Sequence, residues 1–313
     1  MYRHIFGPVP SRRLGNSLGI DLVPLKTCNL NCIYCECGRT THLTMERREY
    51  VPFEQVCEEL TRFLSENPPP DWLTFSGSGE PLLYSRAGEL LEWIKGHALD
   101  IPLAILTNGT LFTDPEVRRE VQRADLILPS LDAATPALYR KIDRPHPQLQ
   151  VEKIIEGLVE LRCEYSGRIW LEVFIVPGLN DQESELSALR EAILRIAPDR
   201  VQLNSLDRPG TLPGLRAADR AELERIIEFW QLPQVEIVAR SASDPKPRTV
   251  RIEREGAILE TIARRPCTLE DLVQILGMHI NEVNKYLAIL EKEGKIHTQR
   301  AGPLLFYAAG GQD

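Results

Sequence analysis

Short apolar runs alternate with longer stretches of helical period from residue 18 to about 240. The runs lie at 18–23, 72–76, 103–107, 126–130, 169–176 and 201–206. Several are continuously apolar, as strands are when helices cover a parallel sheet. Between them, apolar residues recur three and four apart. Phe53, Val56, Leu60 and Leu64 mark one face of 53–65, and Val151, Ile154, Ile155, Leu158 and Leu161 mark another segment. Residues 186–196 and 223–230 follow the same period. Repeated strand-then-helix units predict a parallel sheet with right-handed crossovers. Six units are too few to close an eight-stranded barrel, so the pattern predicts an α/β fold, a partial (β/α)6 barrel of TIM type. Residues 235–238 are a candidate further strand.

The period breaks at 241–254, SASDPKPRTVRIER, where two prolines and four basic residues carry no apolar repeat. This stretch reads as a linker between a domain at 1–240 and a smaller one at 255–313. Beyond it, 257–264 has helical period. Thr268 then caps a second helix with Asp271 as the acidic partner of a capping box, and Gly277 ends it. Asn281 opens a third helix carrying Val283, Leu287 and Leu290, which stops at Gly294. Residues 296–299 and 304–307 flank a Gly302-Pro303 turn like a hairpin. Three helices followed by a hairpin form the pattern of a winged helix-turn-helix. Such a domain can read DNA through the helix from Asn281, with Lys285 and Lys292 toward phosphates and Arg300 on the wing. It can equally hold a peptide or another subunit. Residues 256–313 carry six basic and seven acidic side chains, so a strongly positive footprint is missing and protein or peptide contact is favoured over DNA.

Composition adds bounds. The 313 residues leave room for two domains, and 43% hydrophobic with 26% charged residues is ordinary for a globular chain. A formal net charge of −8 argues against a general attraction to polyanions. The first six residues are polar in character, Pro8 and Pro10 follow, and no apolar run is long enough for a bilayer. A cytoplasmic protein with no membrane contact is therefore expected. Seven cysteines are spread unevenly: Cys28, Cys32, Cys35 and Cys37 crowd together, while Cys57, Cys163 and Cys267 stand apart and are expected to be buried. In a reducing compartment, clustered thiols point to metal or redox chemistry and not to disulfides.

Cys28, Cys32 and Cys35 form C-x3-C-x2-C just after the first predicted strand, at the end where parallel barrels carry their active sites. Three thiolates can hold three irons of a cubane and leave the fourth iron open to another ligand. The alternative is a structural zinc site completed by Cys37 or His42, although zinc knuckles come as paired C-x2-C units and a second pair is missing. Ser76, Gly77, Ser78, Gly79, Glu80 and Pro81 follow the next strand. Glycines there let backbone approach a ligand, and Glu80 can accept hydrogen bonds from an ammonium group. Thr107-Asn108-Gly109 and Ser130-Leu131-Asp132 end the two strands after that. They suit ribose hydroxyls and the charged end of an amino acid, or, taken alone, a turn and helix caps.

With Tyr34 before the last cysteine, this ordered set of motifs resembles the radical S-adenosylmethionine (SAM) superfamily over residues 5 to about 240. The resemblance implies a radical SAM barrel with one [4Fe-4S] cluster on Cys28, Cys32 and Cys35. It implies SAM bound by Tyr34, by Ser76, Gly77, Ser78, Gly79 and Glu80 around its amino group, by Thr107, Asn108, Ser130 and Asp132, and by Val176 at its adenine. Many members have adjacent glycines where Ser78 intervenes here. The chemistry implied is reductive cleavage of SAM to a 5′-deoxyadenosyl radical that takes hydrogen from a substrate, with flavodoxin or ferredoxin as electron donor.

Residues 7–19, GPVPSRRLGNSLG, with Arg144-Pro145 and Arg208-Pro209, resemble a bacterial subgroup related to the wyosine-base synthases. That implies a transfer-RNA base, or else a peptide or protein, as substrate, held by the winged helix. Arg12 and Arg13, and likewise Arg144, His146 and Arg208, are candidates for a substrate anion or plain surface charges. His4, His42, His97, His279 and His297 have no partner spacing. The competing reading is a DNA-binding regulator that senses redox state or SAM. A sensor needs only the cysteines, so the SAM motifs favour an enzyme.

Overall fold

A computed structural model describes residues 2–11, 13–97, 100–207, 210–238, 254–278 and 280–310. Strand β1 (Ile5–Ser11) pairs antiparallel with β2 (Gly15–Ile20). A two-residue parallel bridge joins β3 (Thr27–Cys28) to β4 (His42–Leu43). From β2 the main sheet runs in chain order through β5 (Trp72–Phe75), β6 (Leu103–Thr107), β7 (Leu126–Pro129), β8 (Arg168–Phe174), β9 (Arg200–Asn204) and β10 (Val235–Ile237), every pair parallel. The candidate further strand is thus present, and the parallel series has one more member than the expected six. The antiparallel edge strand β1 is unannounced in the sequence pattern, because Pro8 and Pro10 interrupt it. Proline is tolerated on such an edge.

Helices α1 (Phe53–Glu66), α2 (Ala87–His97), α3 (Pro115–Glu120), α4 (Pro136–Ile142), α5 (Val151–Glu164), α6 (Glu183–Ile196) and α7 (Arg220–Trp230) occupy the crossovers. The apolar face read for 53–65 is buried at Phe53, Val56, Leu60 and Phe63, with Leu64 at its border. Alternate residues of β6 divide between two layers. Leu103 and Ile105 join the core under the helices, while Ala104 and Leu106 join an inner layer with Leu14, Leu126, Leu128 and Trp170. Both faces of the sheet are therefore covered, which explains the unbroken apolar runs. Cys57 and Cys267 are buried as expected, but Cys163 is exposed. It sits in the last turn of α5, off the face that buries Leu158 and Leu161.

The C-terminal residues form α8 (Arg254–Arg264), α9 (Leu269–Leu276), α10 (Ile280–Lys292) and an antiparallel hairpin of β11 (Ile296–Ala301) and β12 (Leu304–Ala309). Thr268 and Asp271 make the anticipated capping box, and Gly277 ends α9 in the left-handed region with φ 61°. This unit has its own core, in which Ile258, Ile262, Leu272, Val283, Leu287 and Leu290 meet. Linker residues 241–253 lie outside the described residues, as do Arg12, Arg208, Pro209 and His279 and the side chains of Asn281 and Lys285. Among the described residues, no helix is long and apolar enough to cross a membrane.

Candidate active site

A cavity of about 310 Å³ lies at the C-terminal ends of the parallel strands, and Cys28, Cys32 and Cys35 all line it. The cysteine loop is pinned by backbone hydrogen bonds to its neighbours. Lys26 donates its N–H to the Ser78 carbonyl at 3.0 Å, and Glu80 donates its own to Thr27 at 3.1 Å. Asn31 and Ile33 bond the carbonyls of Asp143 and Ile142, both at 2.9 Å. Gly79 has to be glycine: a Cβ there would fall 1.9 Å from the Thr27 carbonyl oxygen. Burial pushes the Cys28 thiol up to about 12 and the Cys32 thiol well above its ordinary value. Cys35 moves the other way, to about 6, because Cys37 hydrogen-bonds it and the Lys26 ammonium lies 3.2 Å from its sulfur.

Glu80 is the knot of the next two turns. Its Oε1 accepts from the Leu82 N–H at 3.0 Å and the Thr107 hydroxyl at 2.7 Å, and Oε2 accepts from the Asn108 N–H at 2.8 Å. Burial still raises its pKa to about 7. Three of its roughly four acceptor sites are spent on protein donors, which leaves one on Oε2 for a ligand. Asn108 donates to Asn29 Oδ1 at 2.6 Å, with its amide 3.6 Å from the Cys28 sulfur. Asn29, wholly buried, donates in turn to Thr110 at 2.6 Å. Asn29 escapes a reading by motif, since only its place beside Cys28 marks it.

On the opposite wall Asp132 accepts from the Phe174 N–H at 2.7 Å and from the Tyr34 hydroxyl. Burial raises Asp132 to about 6. The Tyr34 ring stacks on Phe174 with centroids 4.0 Å apart. Ser130 bridges to Glu172 and also faces the cavity. Eleven expected residues therefore share one cavity: Cys28, Cys32, Tyr34, Cys35, Gly77, Gly79, Glu80, Thr107, Asn108, Ser130 and Asp132. Three others lie elsewhere. Ser76 lines a larger chamber next door, and Ser78 turns its hydroxyl to Asp21 at 3.3 Å. Val176 is buried beside Ile33, Ile142 and Phe174, with its N–H taken by Asn180 at 2.8 Å. Arg13 lines both cavities and pairs with Glu172, whereas Arg144 and His146 line neither.

The wall also holds two buried polar atoms without a partner among the described residues, the Tyr139 hydroxyl and Asp143 Oδ2. Asp143 Oδ1 lies 3.6 Å from the Cys32 sulfur. Among the described residues no group of three His, Cys, Asp or Glu is drawn tightly enough to hold a single metal ion. His42 is exposed, while the Cys37 thiol stays beside Cys35 and lies 3.9 Å from the Gly77 carbonyl. Three thiols spread around one cavity, with orphaned polar atoms beside them, fit a wider body such as an iron–sulfur cubane with its ligand.

The chain matches the model of the radical SAM superfamily over residues 22–189. It is 32% identical over 307 residues to a UPF0026 protein of Helicobacter pylori, covering 97% of each chain. It is 35% identical over 311 residues to a Brachyspira hyodysenteriae protein named GTPase Obg, covering 98% of this chain but only 45% of that longer one. Its fold resembles a radical SAM methyltransferase from Sphaerobacter thermophilus, with 16% identity, a TM-score of 0.55 and coverage of 71% of this chain and 65% of the other. Proteins of this type use a [4Fe-4S] cluster and SAM. With the model match spanning more than half its length and an end-to-end UPF0026 relative, the chain belongs to the radical SAM superfamily.

Proposed function

We propose that Cys28, Cys32 and Cys35 hold the cluster, that SAM lies across the ends of β5 to β8, and that the enzyme takes a hydrogen atom from a substrate bound beside them. One observation carries this reading: the three thiols and the turns after three successive strands line a single cavity. Held on Cys28, Cys32 and Cys35, a cluster with SAM beside it would supply one-electron reductive cleavage of SAM and, through it, hydrogen abstraction from substrate. The protein supplies position. Glu80 locks the turn after β5 to that after β6, and its free acceptor site suits the ammonium of SAM. Tyr34, held by Asp132 and stacked on Phe174, gives a flat apolar surface between the two cavities. Leu30, Leu131, Ala133 and Ile154 keep water from the cavity floor.

A reduced flavodoxin or ferredoxin of the cytoplasm is the natural electron source for this chemistry. The kinship with wyosine-base synthases, and with it a transfer-RNA base as substrate, is supported by residues 7–19 with Arg144-Pro145 and Arg208-Pro209, and the winged-helix pattern supports a peptide or protein as the other substrate reading. We read residues 1–240 as the catalytic domain and 255–313 as a winged helix. The order of three helices and a hairpin around a separate core supports that division.

The test is anaerobic reconstitution with iron and sulfide, then dithionite and SAM, with chromatographic detection of 5′-deoxyadenosine. Formation in the wild type that disappears in Cys32→Ala is expected. Uptake of zinc in place of iron, with no response to SAM, would sink the proposal. So would salt-dependent DNA binding without SAM cleavage, the behaviour of a regulator.

A further inference from the structure

Two segments flank the outer side of the cysteine loop, and both expose cations. Asn31 joins them: its N–H donates to the Asp143 carbonyl at 2.9 Å, and its Oδ1 accepts from the Thr40 N–H at 3.0 Å. Arg144 and Arg39 are the chain neighbours of those two partners. Arg140 and Lys141 lie in the last turn of α4, whose final residue, Ile142, accepts the Ile33 N–H at 2.9 Å. All four cations are exposed, and none has an ion pair among the described residues. The carboxylates of the same segments, 29–44 and 136–150, face inward: Asp143 is buried, and Glu36 lines the larger chamber. The next carboxylates along the chain, Glu46 and Glu152, are each followed by a base, Arg47 and Lys153. On a chain of net charge −8, where Arg86, Arg118 and Arg195 all pair with glutamates, this is a local excess of positive charge. Beside it Leu212, 38% exposed, donates its N–H to the Ile33 carbonyl at 3.0 Å.

We infer that this face docks the electron donor, a small acidic one-electron carrier protein held by Arg39, Arg140, Lys141 and Arg144 beside Leu212. This docking role rests on the proposed assignment of the cluster to Cys28, Cys32 and Cys35. Position distinguishes a donor from a substrate. The four cations line neither cavity, so a substrate gripped by them would stay outside the place where its atoms must react. An electron needs no such entry, because it tunnels through the loop. The carrier is oxidised by one electron and its acceptor reduced by one, and no atom crosses. The way is short: Asp143 Oδ1 lies 3.6 Å from the Cys32 sulfur, and the Thr211 hydroxyl donates to the Cys32 carbonyl at 3.1 Å. Charge selects the partner. A basic face on a chain that is negative as a whole steers an acidic protein to this side and repels it elsewhere. An exposed apolar side chain next to charged ones has the make-up of an interface centre with its polar rim.

The experiment uses the full-length, cluster-loaded protein. Dithionite and SAM, scored by 5′-deoxyadenosine, test the cluster assignment without any docking, and absence of cleavage there overturns that assignment and the docking surface together. Oxidised flavodoxin and oxidised ferredoxin are then titrated onto the protein by calorimetry, and the reduced carriers replace dithionite in the cleavage assay. One carrier is expected to bind, with a dissociation constant that rises with salt. Arg140→Glu/Lys141→Glu should raise that constant, and the half-saturating amount of reduced carrier, about tenfold, with the dithionite-driven rate unchanged. Arg39→Glu should act in the same direction. The control is the same reversal at Arg119 and Arg123, which are exposed just before β7 begins at the far end of the barrel; it should shift either value by less than about twofold. Binding of neither carrier, wild-type affinity in Arg140→Glu/Lys141→Glu, or an equal loss in the control overturns the docking surface with the cluster assignment intact. So does a loss confined to the binding of transfer RNA.

Discussion

Lys26 is 5% exposed, and its ammonium faces the sulfur of Cys35 at 3.2 Å. Its backbone is held in the left-handed region at φ 62° by bonds through Ser78, Thr41 and His42, so the side chain has little freedom to leave. A cluster held as proposed on the three cysteines would gain a negative charge on reduction, and a fixed cation beside it would favour that state. Replacing Lys26 by methionine keeps an unbranched side chain one atom shorter and removes the charge. For unit charges ~6 Å apart at an effective dielectric of ~20, the lost attraction is ~3 kcal/mol. For one electron, ~1.4 kcal/mol corresponds to about 59 mV, so the potential of Lys26→Met should fall by ~120 mV. Anaerobic redox titration followed by electron paramagnetic resonance reads this directly, with iron per chain measured first to show equal loading. Lys26→Arg should stay near the wild type. An unchanged or higher potential in a fully loaded Lys26→Met protein would refute the electrostatic reasoning.

Three further outcomes are expected. Burial raises Glu80 from 4.5 to about 7, so the folded chain binds its proton more tightly than the unfolded chain does. Its contribution to stability is then complete below pH 4.5 and is lost as pH rises through about 7. Glu80→Gln should remove a fall of ~3 kcal/mol across that window in denaturant titrations of the metal-free protein, and parallel pH profiles would count against it. Gly79→Ala drives a methyl group into the Thr27 carbonyl, at a cost of ~1–3 kcal/mol. Reconstituted iron should fall below half of the wild-type level, and full loading would show that the loop can yield. Arg264→Ala strands the Asp21 carboxylate, whose side chain is 12% exposed, and should cost ~3 kcal/mol in thermal or chemical unfolding. A double-mutant cycle with Asp21→Asn should give a coupling above ~1 kcal/mol, and strict additivity would mean that the pair does not fasten the C-terminal unit.

The motif residues were legible because ligand approach constrains their type. Gly79 has no room for a side chain, and the three cysteines and Asn108 reach one cavity from turns far apart in sequence. The strands were legible because burial on both faces leaves them unbroken apolar runs, as in β6 and β7. What stayed hidden depends on contacts across the fold. Nothing in the sequence around Lys26, Asn29, Tyr139 or Asp143 marks them, and their surroundings arise only when loops from different crossovers meet. The role expected of Glu80 was sharpened for the same reason: its carboxylate is mostly occupied by Leu82, Thr107 and Asn108. Arg264 lies at the end of a segment recognised only by its helical period, and its partner Asp21 is 243 positions earlier.

That separation bears on the order of assembly. A chain made from its N-terminus presents every strand of the barrel and the whole cysteine loop before Arg264 exists to seal the side. During synthesis there would accordingly be an interval, before residues 254–310 emerge, in which the thiols stand open to an iron–sulfur donor. The helices after residue 254 would thus dock onto a barrel whose cysteine loop is already in place, with Arg264 meeting Asp21 late in assembly.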